Sequence, residues 1–170
     1  MNPKWRTIKQ HNGAVIFIIV PLMFAATILL AVFDRPPVVH SVKELAAYSN
    51  CEPENVRDWL QHDYEYDKNF NAMYSNTWEP TGDWCIARKT GNCRCYAAIS
   101  QDTLNECPGY SAHMACMKHD ETCAHALTFF TDPQGRKGFI NSGAQSETFS
   151  ASTPWKDIEK EVQGGPWVTP

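Results

Sequence analysis

The sequence predicts an α+β domain, with helices packed against an antiparallel sheet. Three observations carry that expectation. Short segments in the first two thirds of the chain bring apolar residues onto one helical face. A strong pattern of strand, turn and strand follows between Ala124 and Asn141. All seven cysteines lie after a long uncharged run near the N-terminus, so they fall within one later domain.

The uncharged run, Gly13 to Phe33, has the length a helix needs to cross the hydrocarbon core, about 20 apolar residues, and its one proline, Pro21, is tolerable there. A cleaved signal peptide has a shorter apolar region, roughly 7–15 residues, and a small-residue cleavage site. Val32-Phe33-Asp34 is a poor one. The expectation is an uncleaved signal anchor over residues 13–33. Lys4, Arg6 and Lys9 precede the run and Arg35 alone closely follows it. This asymmetry predicts that residues 1–12 lie in the cytoplasm and that the rest is exported, on the periplasmic or extracellular side. The exported part carries the acidic excess of a chain whose formal charge is −4, which argues against a nucleic-acid partner.

Residues 34–50 read as a membrane-proximal spacer and helix. Pro36-Pro37 stiffen the spacer, and Ser41 with Glu44 forms a capping box ahead of Val42, Leu45 and Ala46. Residues 51–170 read as the functional domain. Pro53 to Leu60 is a helix with proline at its first position and Val56, Trp59 and Leu60 on one face. Asp63 to Trp78, rich in Tyr, Phe, Asn and Asp, reads as an irregular segment lining a surface or cleft. Trp78 to Trp84 reads as a turn-rich approach. The segment from Asn105 to Cys123 is undecided between strand and short helix. Ala124 to Phe130 is a strand, Asp132-Pro133-Gln134-Gly135 a turn, and Gly138 to Asn141 the returning strand. A last helix follows Pro154, with Trp155, Ile158 and Val162 on its face and Gly164-Gly165 as its stop, before an extended tail.

Gly91-Asn92-Cys93-Arg94-Cys95-Tyr96-Ala97 is the stretch with chemical content. Asn92 can cap a helix whose first residues include Cys93. A thiol there meets unpaired N–H groups and the positive end of the helix dipole, which favour thiolate. A cysteine nucleophile also needs a base, and the base an orienting group. His125 at the head of one strand and Asn141 on its partner strand are the candidates. With the turn near Pro133-Gln134 they fall on roughly opposed positions, where Asn141 can accept from one ring nitrogen and leave the other to face Cys93. Seven cysteines is an odd number. Six of them, Cys51, Cys85, Cys95, Cys107, Cys116 and Cys123, are disulfide candidates in an oxidising compartment, with Cys93 left over.

The order and wording of these segments resemble the transglutaminase-like superfamily, and within it the bacterial transglutaminase-like cysteine proteinases. The matching segments are Gly91 to Ala97, His125-Ala126-Leu127 and Gly138-Phe139-Ile140-Asn141, within about Asp83 to Ser142. The resemblance implies a papain-like or transglutaminase-like fold, a nucleophile helix packed on an antiparallel sheet. It implies Cys93 as nucleophile, His125 as general base and acid, and Asn141 as orienter. It implies amide chemistry through a thioester, with a protein or the peptide of a cell-wall polymer as substrate. No cofactor or metal is expected. The chain departs from the family at Asn92, which precedes the cysteine, at Arg94-Cys95, which follow it, and at Asn141, where aspartate is commoner. No glutamine lies between Gln61 and Gln101 to serve as an oxyanion donor. The Cys93 backbone N–H with the indole of Trp78 or Trp84 is the substitute.

Three other readings use the same residues. A zinc protein would take ligands from Cys93, Cys95, His113, Cys116, His119, Cys123 and His125, although the spacings match no standard finger. A redox role for Cys93 and Cys95 lacks the usual two-residue spacing. A disulfide-stabilised binding or assembly module on a membrane anchor would keep the three bridges and leave the seventh cysteine inert.

Overall fold

The computed structural model describes residues 38–67, 69–70, 79–119, 122–142, 145–162 and 167–168. The expected membrane span at 13–33 and Trp78 lie outside the described residues. Among the described residues no helix is long and apolar enough to cross a membrane. The chain divides into units 1–38 and 39–170.

The elements of the second unit are α1 (Val42–Tyr48), α2 (Pro53–Asp63), β1 (Glu65–Tyr66), α3 (Gly82–Arg88), β2 (Thr90–Gly91), α4 (Cys93–Asn105), β3 (Ser111–His119), β4 (Thr122–Thr131), β5 (Lys137–Asn141), β6 (Gln145–Phe149), α5 (Trp155–Glu161) and β7 (Trp167–Val168). The class is α+β. Five strands form an antiparallel sheet in the order β6-β5-β4-β3-β7, and β1 and β2 form a separate parallel pair.

The sheet is covered on both faces. Val42, Leu45, Val56, Leu60, Cys85, Ile99 and Leu104 from the four early helices form one apolar cluster with Phe130 and Ile140 of the sheet. The other cluster joins Ala115, Leu127, Phe129 and Phe139 to Ile158 and Val162, at and just beyond α5. Alternation along β4 and β5 makes this possible, since successive side chains point to opposite faces. Phe129 and Phe139, directly paired, serve one face, while their neighbours Phe130 and Ile140 serve the other.

Helix α4 is the hub. The Asn105 side chain brackets the backbone of Ala112, accepting from its N–H at 2.8 Å and donating to its carbonyl at 3.0 Å. Gln101 accepts from the Met114 N–H at 2.6 Å. The buried Thr128 hydroxyl donates to the Ala97 carbonyl at 2.8 Å, tying β4 to the helix one turn beyond Cys93. Asp102 accepts from the Gly82 N–H at 2.7 Å and so fixes the start of α3.

Several boundaries differ from the sequence reading. The helix expected to be membrane-proximal belongs to the same core: Leu45 is fully buried, and Asp83 of α3 accepts from the Val42 N–H at 2.8 Å. Residues Gly82 to Trp84, read as turn-rich, begin α3. The Thr81 hydroxyl caps it by accepting from the Trp84 N–H, which offsets the poor helix propensity of Gly82. Ser111 to His119 resolves as a strand because β4 supplies its hydrogen-bond partners. Helix α5 ends at Glu161, before the glycine pair expected to stop it. The strand β6 had no signal in the sequence reading.

The six disulfide candidates are joined as Cys51–Cys107, Cys85–Cys95 and Cys116–Cys123. The first ties the turn after α1 to the end of α4, the second staples α3 to α4, and the third lies between β3 and β4. Cys93 alone keeps a free thiol.

Candidate active site

Cys93 is the first residue of α4. The backbone arrives from the left-handed cap Lys89 (φ 64°) through Thr90-Gly91, which pair in parallel with Glu65-Tyr66. The Asn92 side chain accepts from the Arg94 N–H at 3.0 Å and starts the helix. Gly91 is required by close packing. A Cβ there would lie 2.5 Å from the Cys95 Cβ, 2.6 Å from the Tyr64 hydroxyl and 2.7 Å from the Cys95 sulfur. The motif glycine therefore lets the Cys85–Cys95 bridge pass directly behind the nucleophile loop.

Cys93 is buried in a small cluster with Ala97 and Ala126, flanked by Met114, Cys116 and Cys123. An irregularity in the β3–β4 ladder shapes this wall. Met117 pairs with His125 but Lys118 pairs with Cys123, so Ala124 is an extra residue in β4. The bulge brings Cys123 to the sheet face of Cys116, where the two bond, and sets His125 directly beyond it.

His125 Nε2 lies 2.7 Å from Asn141 Oδ1. An amide oxygen can only accept, so Nε2 carries the proton and Nδ1 is the nitrogen left for Cys93. The register is diagonal rather than opposed. Thr128 pairs with Ile140, and one more step would set Asn141 against Leu127, two residues from His125. Both side chains still share a sheet face, and the diagonal is within side-chain reach. Immediately after Asn141, Ser142 turns left-handed (φ 42°) and ends the strand at that residue.

The electrostatics follow from these contacts. Burial by itself pushes the Cys93 thiol up. The hydrogen bond with His125, the backbone N–H of Ala126 and the positive charges of His125 and Arg94 outweigh burial, so the thiol lies below its ordinary value. The His125 imidazole is raised, first by its hydrogen bond with Cys93, against burial, and further by Asn141 and the negative charge on Cys93. The pair thus favours thiolate and imidazolium.

Of the two indoles weighed as oxyanion donors, only Trp84 is described. It is half-buried against the Phe70 ring at 6.1 Å, with the Arg88 guanidinium 5.5 Å from its centroid. Tyr66, within the stretch expected to be irregular, also lies beside the nucleophile. Burial and the neighbouring charge of Cys93 push its phenol up, which sets the side chain beside the nucleophile. No local pattern marks this residue. Its placement depends on the two-residue pairing of Tyr66 with Gly91.

Among the described residues no three His, Cys, Asp or Glu side chains converge to hold a metal ion. Cys95, Cys116 and Cys123, three of the thiols a zinc site would need, are engaged in disulfides. No protein-family model matches the chain, and no curated protein matches it.

Proposed function

We propose that this chain is a cysteine acyl-transfer enzyme of the transglutaminase-like type, acting on amide bonds of a protein or of cell-wall peptide. The observation that carries the reading is one imidazole that hydrogen-bonds Asn141 and lies beside the free cysteine of a seven-cysteine chain.

The chemistry follows from that arrangement. The Cys93 thiolate attacks the carbonyl carbon, a C–S bond forms, and the π pair moves onto oxygen. The Cys93 N–H would bond that oxyanion. Collapse breaks the C–N bond, and the imidazolium of His125 gives its proton to the departing amine. Water or a second amine then attacks the thioester while His125 takes the proton, and the thiolate leaves. Asn141 keeps the ring oriented throughout. The disulfides suit an exported domain, and the run at 13–33 would anchor it in the membrane.

Intact-mass analysis of the full-length, detergent-solubilised protein tests the reading. Incubation with p-nitrophenyl acetate, a generic acyl donor, should add one acetyl group, lost on treatment with hydroxylamine. Cys93→Ser should remain unacylated. Equal acylation of the two proteins would sink the proposal. Protease accessibility of a C-terminal tag in spheroplasts tests the orientation, and full protection of the tag would overturn it.

A further inference from the structure

The nucleophile has one backbone N–H at hand, and a tetrahedral oxyanion is best held by a second donor. Tyr66 is the side chain positioned to supply it. The strand pairing of Tyr66 with Gly91 and the bond from the Asp67 N–H to the Gly91 carbonyl, 2.9 Å, hold its backbone two residues from Cys93. Its ring leans on Tyr96, one helical turn along α4, with centroids 5.7 Å apart and planes at 56°. Tyr66 is nonetheless 45% exposed, so part of its side chain is open to an arriving substrate. We propose that Tyr66 is a catalytic residue whose hydroxyl acts as the second oxyanion donor, beside the backbone N–H of Cys93.

In the free protein the phenol lies near enough to Cys93 to feel both its thiol and its backbone. An incoming carbonyl takes the Cys93 N–H. The phenol keeps its own proton and turns it to the developing negative charge. Burial first, and then the charge on Cys93, push the phenol up, so it keeps its proton near neutral pH. The tyrosine takes the role for which the stretch between Gln61 and Gln101 offers no glutamine.

This proposal rests on the Cys-His-Asn reading and is separable from it. Tyr66→Phe keeps the ring on Tyr96 and removes only the hydroxyl. With full-length protein and p-nitrophenyl acetate, the variant should acylate about 10²-fold more slowly than wild type. Its iodoacetamide alkylation should stay within about twofold of wild type across about pH 5 to 8, because alkylation builds no oxyanion and His125 and Ala126 still hold the thiolate. Acylation at the wild-type rate or faster would overturn the proposal, making the hydroxyl a bystander or an obstacle. A matching loss of both reactions would also overturn it, as the mark of a structural role. Failure of wild type and Cys93→Ser alike to acylate would overturn the Cys-His-Asn reading itself, and Tyr66 with it.

Discussion

His113 and His125 sit on neighbouring strands of one sheet, and their surroundings drive them in opposite directions. His113 on β3 pairs with Phe129 and has the Phe129 and Trp155 rings 6.0 Å and 6.2 Å from its own. Burial among these groups lowers its affinity for a proton. His125 on β4 is also partly buried, but Asn141 accepts from one ring nitrogen, Cys93 lies beside the imidazole, and its proton affinity rises. The two have the same side chain, the same sheet and similar burial. What separates them is whether the imidazole has polar partners, which decides between packing and chemistry.

The largest expected effect that tests this contrast is on thiol reactivity. His125→Ala should slow alkylation of Cys93 near pH 6.5 by at least about tenfold, because the thiol returns toward its ordinary range. His113→Ala should leave that rate unchanged while lowering the unfolding midpoint. Equal slowing in both variants would erase the distinction.

A smaller effect should follow from the orienting residue. Asn141→Ala frees the imidazole to turn and should reduce acylation by about tenfold or more. Asn141→Asp still offers an acceptor to Nε2 and should retain most of the activity. If the alanine and aspartate variants behaved alike, Asn141 would be no more than a strand-end residue.

The pH dependence of activity should be bell-shaped. Thiolate and imidazolium coexist between the depressed value of Cys93 and the elevated value of His125, and the two apparent values belong to the pair. Activity should therefore fall on the acid side as the thiolate is protonated and on the alkaline side as the imidazolium is lost. A single sigmoid would contradict the coupling.

The smallest effects are on stability. His113 binds its proton more weakly when folded, so its contribution is full above the ordinary histidine value of about 6.5 and drains away as pH falls below it. His125 has the opposite sign: its contribution is full below that value and is lost as pH rises through the elevated one. Cys93 contributes above the ordinary thiol value and loses that contribution as pH falls through the depressed one. His113→Phe should flatten the acid side of the stability profile below about pH 6.5. Urea unfolding at several pH values would check the slope, and an unchanged slope would clear His113 of the role.

What the sequence determined by itself was local. Asn92 before Cys93 marks a helix start because a side-chain oxygen can satisfy an early N–H. Asp132 to Gly135 marks a turn because Asp132 can accept from the turn's own backbone, as it does from Gln134 and Arg136, and glycine suits the positive φ of 77°. Odd cysteine parity marked one thiol as the remainder. Tertiary structure decided what depends on residues far apart in the chain. It chose the three disulfide pairs, since parity alone leaves every pairing open. It recruited the 42–48 helix into the core through Leu45 and Asp83, because an amphipathic helix takes whichever apolar surface the rest of the fold presents. It placed Ala124 as a bulge, made the His125–Asn141 contact diagonal and brought Tyr66 onto Cys93. No local rule reports these last placements, because each depends on strand register, and register is set by partners far away in sequence.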